Sequence, residues 1–130
     1  MFLVDSTIYI DWMRHGLNPV QLLLPHVQMG EALTCGVVRL EVVRGLVHLR
    51  VKETLNELFD LMPTVDTTVN IWSAAAELAW RLDRKGKVLP VTDLIIAACA
   101  QSVQADVISL DRHFGEIPGI LWKTRIADMR

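Results

Sequence analysis

Short, wholly apolar runs alternate along this chain with longer stretches in which apolar residues return every three or four positions. Phe2-Leu3-Val4 stops abruptly at Asp5, and Leu33-Thr34-Cys35-Gly36-Val37 and Val107-Ile108-Ser109-Leu110 have the same character. Runs this short and this apolar are the pattern of strands buried on both faces. They predict strands at 2–5, 33–37 and 106–110, a last one at 120–122, and a short extended piece at 62–65 between helices. Helical periodicity covers 6–15, 20–29, 38–45, 51–61, 68–84 and 94–103. Pro19 opens the second of these and Gly30 closes it, with a kink or break expected at Pro25. Thr92 is the expected N-cap of the last, with Asp93 in its first turn. A short helix or turn is expected at 113–115.

The helix at 68–84 carries two apolar stripes: Val69, Trp72, Ala76 and Trp80 on one side, and Ile71, Ala75, Leu78 and Leu82 on the other. A helix that is apolar on two sides is covered on two sides. One stripe is expected on the sheet, and the other on another helix or a second subunit. Strands alternating with helices predict an α/β domain with a largely parallel sheet. Right-handed crossovers then bring the strand carboxyl ends to one edge, where open α/β sheets hold their ligands.

A length of 130 residues is that of one domain, 1–130, able to bury a full core. Apolar residues make up 52% and charged residues 22%, a slight apolar excess that hints at a partner interface. The net charge of −2 argues weakly against nucleic acid. An acidic metal site, however, subtracts charge locally and its cations restore it. Cys35 and Cys99 lie far apart in apolar stretches with no Cys or His beside them, so they read as buried free thiols and exclude a zinc site. No secretory leader is visible, because Asp5 interrupts the opening apolar run. No stretch is apolar for long enough to span a bilayer, so a cytoplasmic location is expected.

Four acids remain. Asp5 and Asp111 close apolar runs at strand ends, Asp93 opens a helix, and Glu41 sits among Val38, Leu40, Val42 and Val43. Each has a plain explanation alone: carboxylates favour helix starts, and Arg44 is placed to pair with Glu41. Together they say more. Clustered carboxylates repel one another unless some are protonated or a hard cation sits among them. Mg2+ and Mn2+ take oxygen ligands, and such an ion can activate a water and stabilise charge on a phosphate.

The ordered set resembles a known family. Val4-Asp5-Ser6-Thr7 comes first, then Leu40-Glu41 with Arg44-Gly45-Leu46. Asp93-Leu94-Ile95-Ile96-Ala97-Ala98 and Ser109-Leu110-Asp111-Arg112-His113-Phe114 follow. Over essentially its whole length the chain is similar to PIN-domain ribonucleases, specifically VapC-type toxins of toxin–antitoxin pairs. The resemblance implies a three-layer α/β/α domain with a parallel central sheet of four to five strands. It implies a metal-dependent endoribonuclease in which Asp5, Glu41, Asp93 and Asp111 are the catalytic acids. Asp5, Asp93 and Asp111 would hold Mg2+ or Mn2+, while Ser6, Thr7 and Ser109 orient the carboxylates. It also implies an RNA substrate, a VapB-type antitoxin as partner and a homodimer. Arg39 and Arg112 are the candidate RNA contacts, with Arg44 near the pocket and Arg84, Lys85 and Lys87 for a longer substrate. The antitoxin groove is expected around Trp12, Met13, Leu22, Leu23 and Leu24.

Three positions depart from many relatives: Thr7 stands for Asn, Ser109 for Thr and His113 for a further Asp. His113 lowers the pocket's negative charge; it reads as an ordinary surface His or as a contact for RNA phosphate when protonated. Two other readings remain: a PIN nuclease of RNA maturation or decay, and a non-catalytic binding module with the same fold. Phosphotransfer domains also put Asp at strand ends, but the second acid of a haloacid-dehalogenase-type phosphatase is absent at Thr7.

Overall fold

The computed structural model describes residues 1–126. The chain runs β1 (Phe2–Val4), α1 (Ser6–Arg14), α2 (Pro19–Gln28), β2 (Ala32–Cys35), α3 (Gly36–Arg44), α4 (Leu49–Leu61), β3 (Thr64–Val65), α5 (Val69–Arg84), α6 (Val91–Ser102), β4 (Asp106–Ile108), a 3-10 turn (Arg112–Glu116) and β5 (Trp122–Lys123). The five strands form one sheet in the order β3-β2-β1-β4-β5, and every neighbouring pair is parallel. The helices flank this sheet in a three-layer α/β/α arrangement. α1 to α4 pack among themselves, while α5 packs along α6.

The strand order positions the site. The chain lays β2 and then β3 on one side of β1, then crosses back to place β4 and β5 on the other. The reversal falls between β1 and β4, and crevices at the carboxyl ends of such neighbours are where open α/β sheets bind ligands. β1 is paired on both sides, Leu3 with Leu33 of β2 and with Val107 of β4. Leu3, Val4 and Val107 are accordingly fully buried. α6 is buried along Asp93–Ala100, because its turns meet α5, α3, β4 and the 3-10 turn. Its content of Ala, Ile and Leu suits a helix covered all round. Cys35 and Cys99 are free and buried, as their apolar settings predict.

β1 and β4 end earlier than expected, at Val4 and Ile108, and α4 begins earlier, at Leu49; four further differences have a physical reason. β2 ends at Cys35 and α3 begins at Gly36, because the helix opens directly from the strand end. α2 passes through Pro25 without a break. The carbonyl that loses its donor there belongs to Gln21, which is exposed, so water can satisfy it. The N-cap of α6 is Pro90, not Thr92, and no side chain caps it. Asp93 therefore occupies the third helical position, where a carboxylate would ordinarily reach back to the N-cap amide. Pro90 has no amide hydrogen, so Asp93 is free to point elsewhere. The last strand lies at Trp122–Lys123 rather than 120–122, fixed by the pairing of Trp122 with Val107 and by its indole Nε1 donating to the Ser109 carbonyl at 2.9 Å.

Truncating the centre of the sheet tests this packing. Leu3→Ala is expected to cost about 2–5 kcal/mol in urea unfolding, as for other large-to-small changes in a rigid core. A cost below about 1 kcal/mol would contradict the placement of Leu3 at the middle of the core.

Candidate metal centre

Asp5 follows β1 directly and is almost wholly buried, at 2% exposure. Its backbone amide donates to the Ile108 carbonyl at 2.9 Å, carrying the β1–β4 ladder one residue further. Its side chain caps α1. Oδ2 accepts from the Thr7 hydroxyl at 2.8 Å, the Ser109 hydroxyl at 2.7 Å and, more loosely, the Thr7 amide at 3.4 Å. Among the described residues every donor goes to Oδ2, which leaves Oδ1 open. Capping and site-building are thus one arrangement here, not alternatives.

The two hydroxyls are themselves held. The amide of Leu110 donates to Thr7 Oγ1 at 3.0 Å, and the amide of Asp111 to Ser109 Oγ at 2.9 Å. With backbone amides on their lone pairs, both hydroxyl protons turn to Asp5. The 3.1 Å separation of the two oxygens then has no proton left to share. The chain after β4 is thereby tied to the start of α1. Ser6 acts on a different acid, donating to Glu41 Oε1 at 3.3 Å.

Asp93 comes in from α6 and is buried. Asp111 caps the 3-10 turn, accepting from the His113 amide at 3.0 Å. That turn swings the imidazole between the two acids: His113 Nδ1 lies 3.1 Å from Asp93 Oδ2 and 2.9 Å from Asp111 Oδ1. One ligand atom from each of Asp93, Asp111 and His113 falls within 4.8 Å of the others. Asp5 stands outside this tight triad, and Glu41 lies beyond it on the α3 side.

The charges of the four acids act on one another. Burial, and then the charge of Asp5, push Glu41 above the usual carboxylate range, against the Ser6 hydroxyl and the Arg44 charge. Asp93 is pushed up to about 7 by burial and by sharing a proton with Asp111, with the charge of Asp5 adding to this. Burial also raises Asp111, but the His113 amide, the shared proton and the imidazole outweigh it, and Asp111 ends below its ordinary value. The pair therefore keeps its proton on Asp93. His113 is raised, chiefly by its hydrogen bond to Asp93 and then by the surrounding negative charge.

This set fits a divalent ion. Hard oxygen donors converge from three elements. The carboxylates of Asp93 and Asp111 lie together with the His113 imidazole, and among the described residues Oδ1 of Asp5 is left without a donor.

The sequence reading put His113 at the pocket and left its role open between an ordinary surface His and an RNA contact; its imidazole lies against Asp93 and Asp111. Arg39 is committed elsewhere: its guanidinium bonds Asp60 at 2.9 Å and Asn56 at 3.1 and 3.3 Å. It lies 5.8 Å from the Phe59 ring centre and so braces α3 on α4. Arg112 is exposed beside Asp111, and Arg44 is exposed with its charge felt at Glu41.

The proton on Asp93 makes stability depend on pH. An unfolded Asp titrates at about 3.9, whereas folded Asp93 does so at about 7. Between these values the metal-free folded chain binds more protons than the unfolded chain, so stability falls as pH rises. His113 adds stability below its ordinary value that is lost through its raised one, in the same direction. Asp111 works oppositely, losing its contribution as pH falls. Urea unfolding in EDTA is therefore expected to show stability declining from about pH 4 to 7, and Asp93→Asn to flatten that decline. An unchanged slope would contradict a proton-retaining Asp93.

Comparison with known proteins finds the same fold. The DNA-bound VapBC of Salmonella typhimurium superposes with a TM-score of 0.76 at 19% identity, over 94% of this chain and 96% of that one. VapBC2 of Rickettsia felis, bound to a promoter DNA fragment, gives 0.74 at 16% over the same shares. VapC20 of Mycobacterium tuberculosis, described as a sarcin-ricin loop cleaving toxin, gives 0.61 at 13%, over 85% of this chain and 90% of that one. At these identities the likeness is one of fold. No curated protein matches in sequence. The PIN domain family, however, matches residues 2–120, which takes in all four acids. The chain belongs to the PIN domain family.

Proposed function

We propose that this chain, read as a single PIN domain over 1–130, is a metal-dependent endoribonuclease of the VapC toxin type. In this reading it acts in the cytoplasm and is silenced by a VapB-type antitoxin. The observation that carries the reading is the convergence of Asp93, Asp111 and His113 within 4.8 Å, beside a buried Asp5 whose Oδ1 is open. The family implies nuclease chemistry, and one fold relative is described as an RNA-cleaving toxin.

The residues divide the work. Asp5, Asp93 and Asp111 would hold Mg2+ or Mn2+, and Thr7 and Ser109 keep Asp5 from turning away. When bound, such an ion offsets charge on a scissile phosphate and makes a water more acidic. Glu41, held by the Ser6 hydroxyl, would accept a proton from the attacking water. Arg112, exposed at the rim, supplies positive charge for an RNA phosphate. Arg39 drops from this role, because Asp60 and Asn56 occupy its guanidinium.

Two surfaces support the partner readings. A groove of about 750 Å³ runs between α1 and the α3–α4 connection, with Met13, Leu17, Leu46, Val51 and Leu55 in its lining and Arg14 and Arg50 at its edge. An apolar segment of an antitoxin with acidic flanks would suit it. Of the residues expected there, only Met13 lines it, while Leu23 is fully buried in the core. On α5 the Ile71, Ala75 and Leu82 stripe is buried, whereas Trp72 and Trp80 on the other stripe remain more than half exposed. That stripe is our candidate homodimer face, since Trp is enriched at interface cores.

Purified, antitoxin-free protein is expected to cut total RNA into discrete products with Mg2+ or Mn2+ and to stop in EDTA. Asp5→Asn and Asp93→Asn should each lower cleavage by more than about 100-fold, beyond the loss typical of removing a supporting partner of a metal ligand. Wild-type rates in either folded variant would refute the site. A folded wild type that cuts no RNA in a broad pool would favour a binding module with the PIN fold.

A further inference from the structure

The imidazole of His113 gives this acidic centre a nitrogen donor. We propose that His113 ligates the divalent ion through Nδ1, making a mixed nitrogen–oxygen centre that selects Mn2+ over Mg2+. The proposal rests on the metal-centre reading above and specifies which ion that centre takes.

The geometry is that of adjacent ligands on one ion. Metal–oxygen bonds of about 2.1 Å in octahedral geometry set neighbouring donors about 3.0 Å apart. His113 Nδ1 stands 3.1 Å from Asp93 Oδ2 and 2.9 Å from Asp111 Oδ1. The three donors are supplied by backbone that is already fixed. Asp93 sits in the first turn of α6, and the 3-10 turn is closed by the His113 amide on Asp111 Oδ1 at 3.0 Å. The ring therefore reaches the centre from the same short turn that holds Asp111. As a ligand the imidazole is neutral and carries its proton on Nε2. The side chain is 44% exposed, so solvent is available to accept from that nitrogen, the role that outer partners play for most metal-bound histidines.

The donor set then decides between ions. Mg2+ favours oxygen and water and sheds its waters reluctantly, whereas imidazole suits first-row transition ions. The carboxylates of Asp93 and Asp111, that of Asp5 directly or through water, and one imidazole would satisfy Mn2+ well. They leave Mg2+ with one poor ligand. An aspartate at position 113 would restore an all-oxygen set.

The test reads the metal directly and needs no RNA. Pulsed electron paramagnetic resonance of wild-type protein loaded with Mn2+ should show nitrogen-14 modulation from a directly bound imidazole, absent in Mn2+-loaded His113→Ala. Calorimetric titration should give wild type a preference for Mn2+ over Mg2+ of about tenfold or more, the scale on which ligand-shell changes act. His113→Asp should reduce that preference at least several-fold while circular dichroism shows the fold kept. Bound Mn2+ without nitrogen modulation, or an unchanged preference in His113→Asp, would overturn the nitrogen-ligand proposal and leave the metal centre standing. Failure of wild type to bind either ion would overturn both.

Discussion

Everything at this edge of the sheet depends on holding the Asp5 carboxylate in one orientation, in a place that water barely reaches. Three hydrogen bonds converge on one of its oxygens, and two of them come from hydroxyls whose own lone pairs are taken by backbone amides. That small network crosses from α1 to the chain beyond β4. It joins the two strands at which the sheet order reverses, so the constraint that fixes Asp5 also fixes the crevice.

The cost of this arrangement falls on its neighbours. A fixed charge at Asp5 raises Glu41 on one side and Asp93 on the other. Asp93 responds by retaining a proton that it shares with Asp111, and His113 is drawn between them by the same negative field. Three acids and an imidazole thus crowd one edge of the sheet, and each alters its neighbours' hold on protons. Local destabilisation of this kind is common where structure serves chemistry.

Much of this was legible in the sequence because charge interrupts apolar patterning so sharply. Asp5 and Asp111 mark strand ends, and Asp93 marks a helix start. Glu41 is conspicuous among valines and leucine. The parallel sheet followed from strand–helix alternation. What local pattern could not give was direction. Arg39 lies two residues from Glu41, yet its partner Asp60 is twenty-one residues away on α4, so only helix packing turns it from the site. His113 meets Asp93 across twenty residues through a 3-10 turn that periodicity does not announce. The N-cap at Pro90 was hidden because the signal for a cap is a polar side chain, and Thr92 offered one. The second stripe of α5 was correctly seen as apolar, but periodicity cannot say whether a partner or solvent meets it.

The central claim is that the acids form one centre built for a divalent ion, and thermal unfolding with and without metal tests it most directly. At pH 7.5, Mn2+ at 100 times its dissociation constant should stabilise wild type by about 2.7 kcal/mol, an upward shift of several degrees in Tm. The same additions to Asp93→Asn should leave Tm nearly unmoved. No shift in wild type, or an equal shift in both proteins, would contradict a metal centre at these residues.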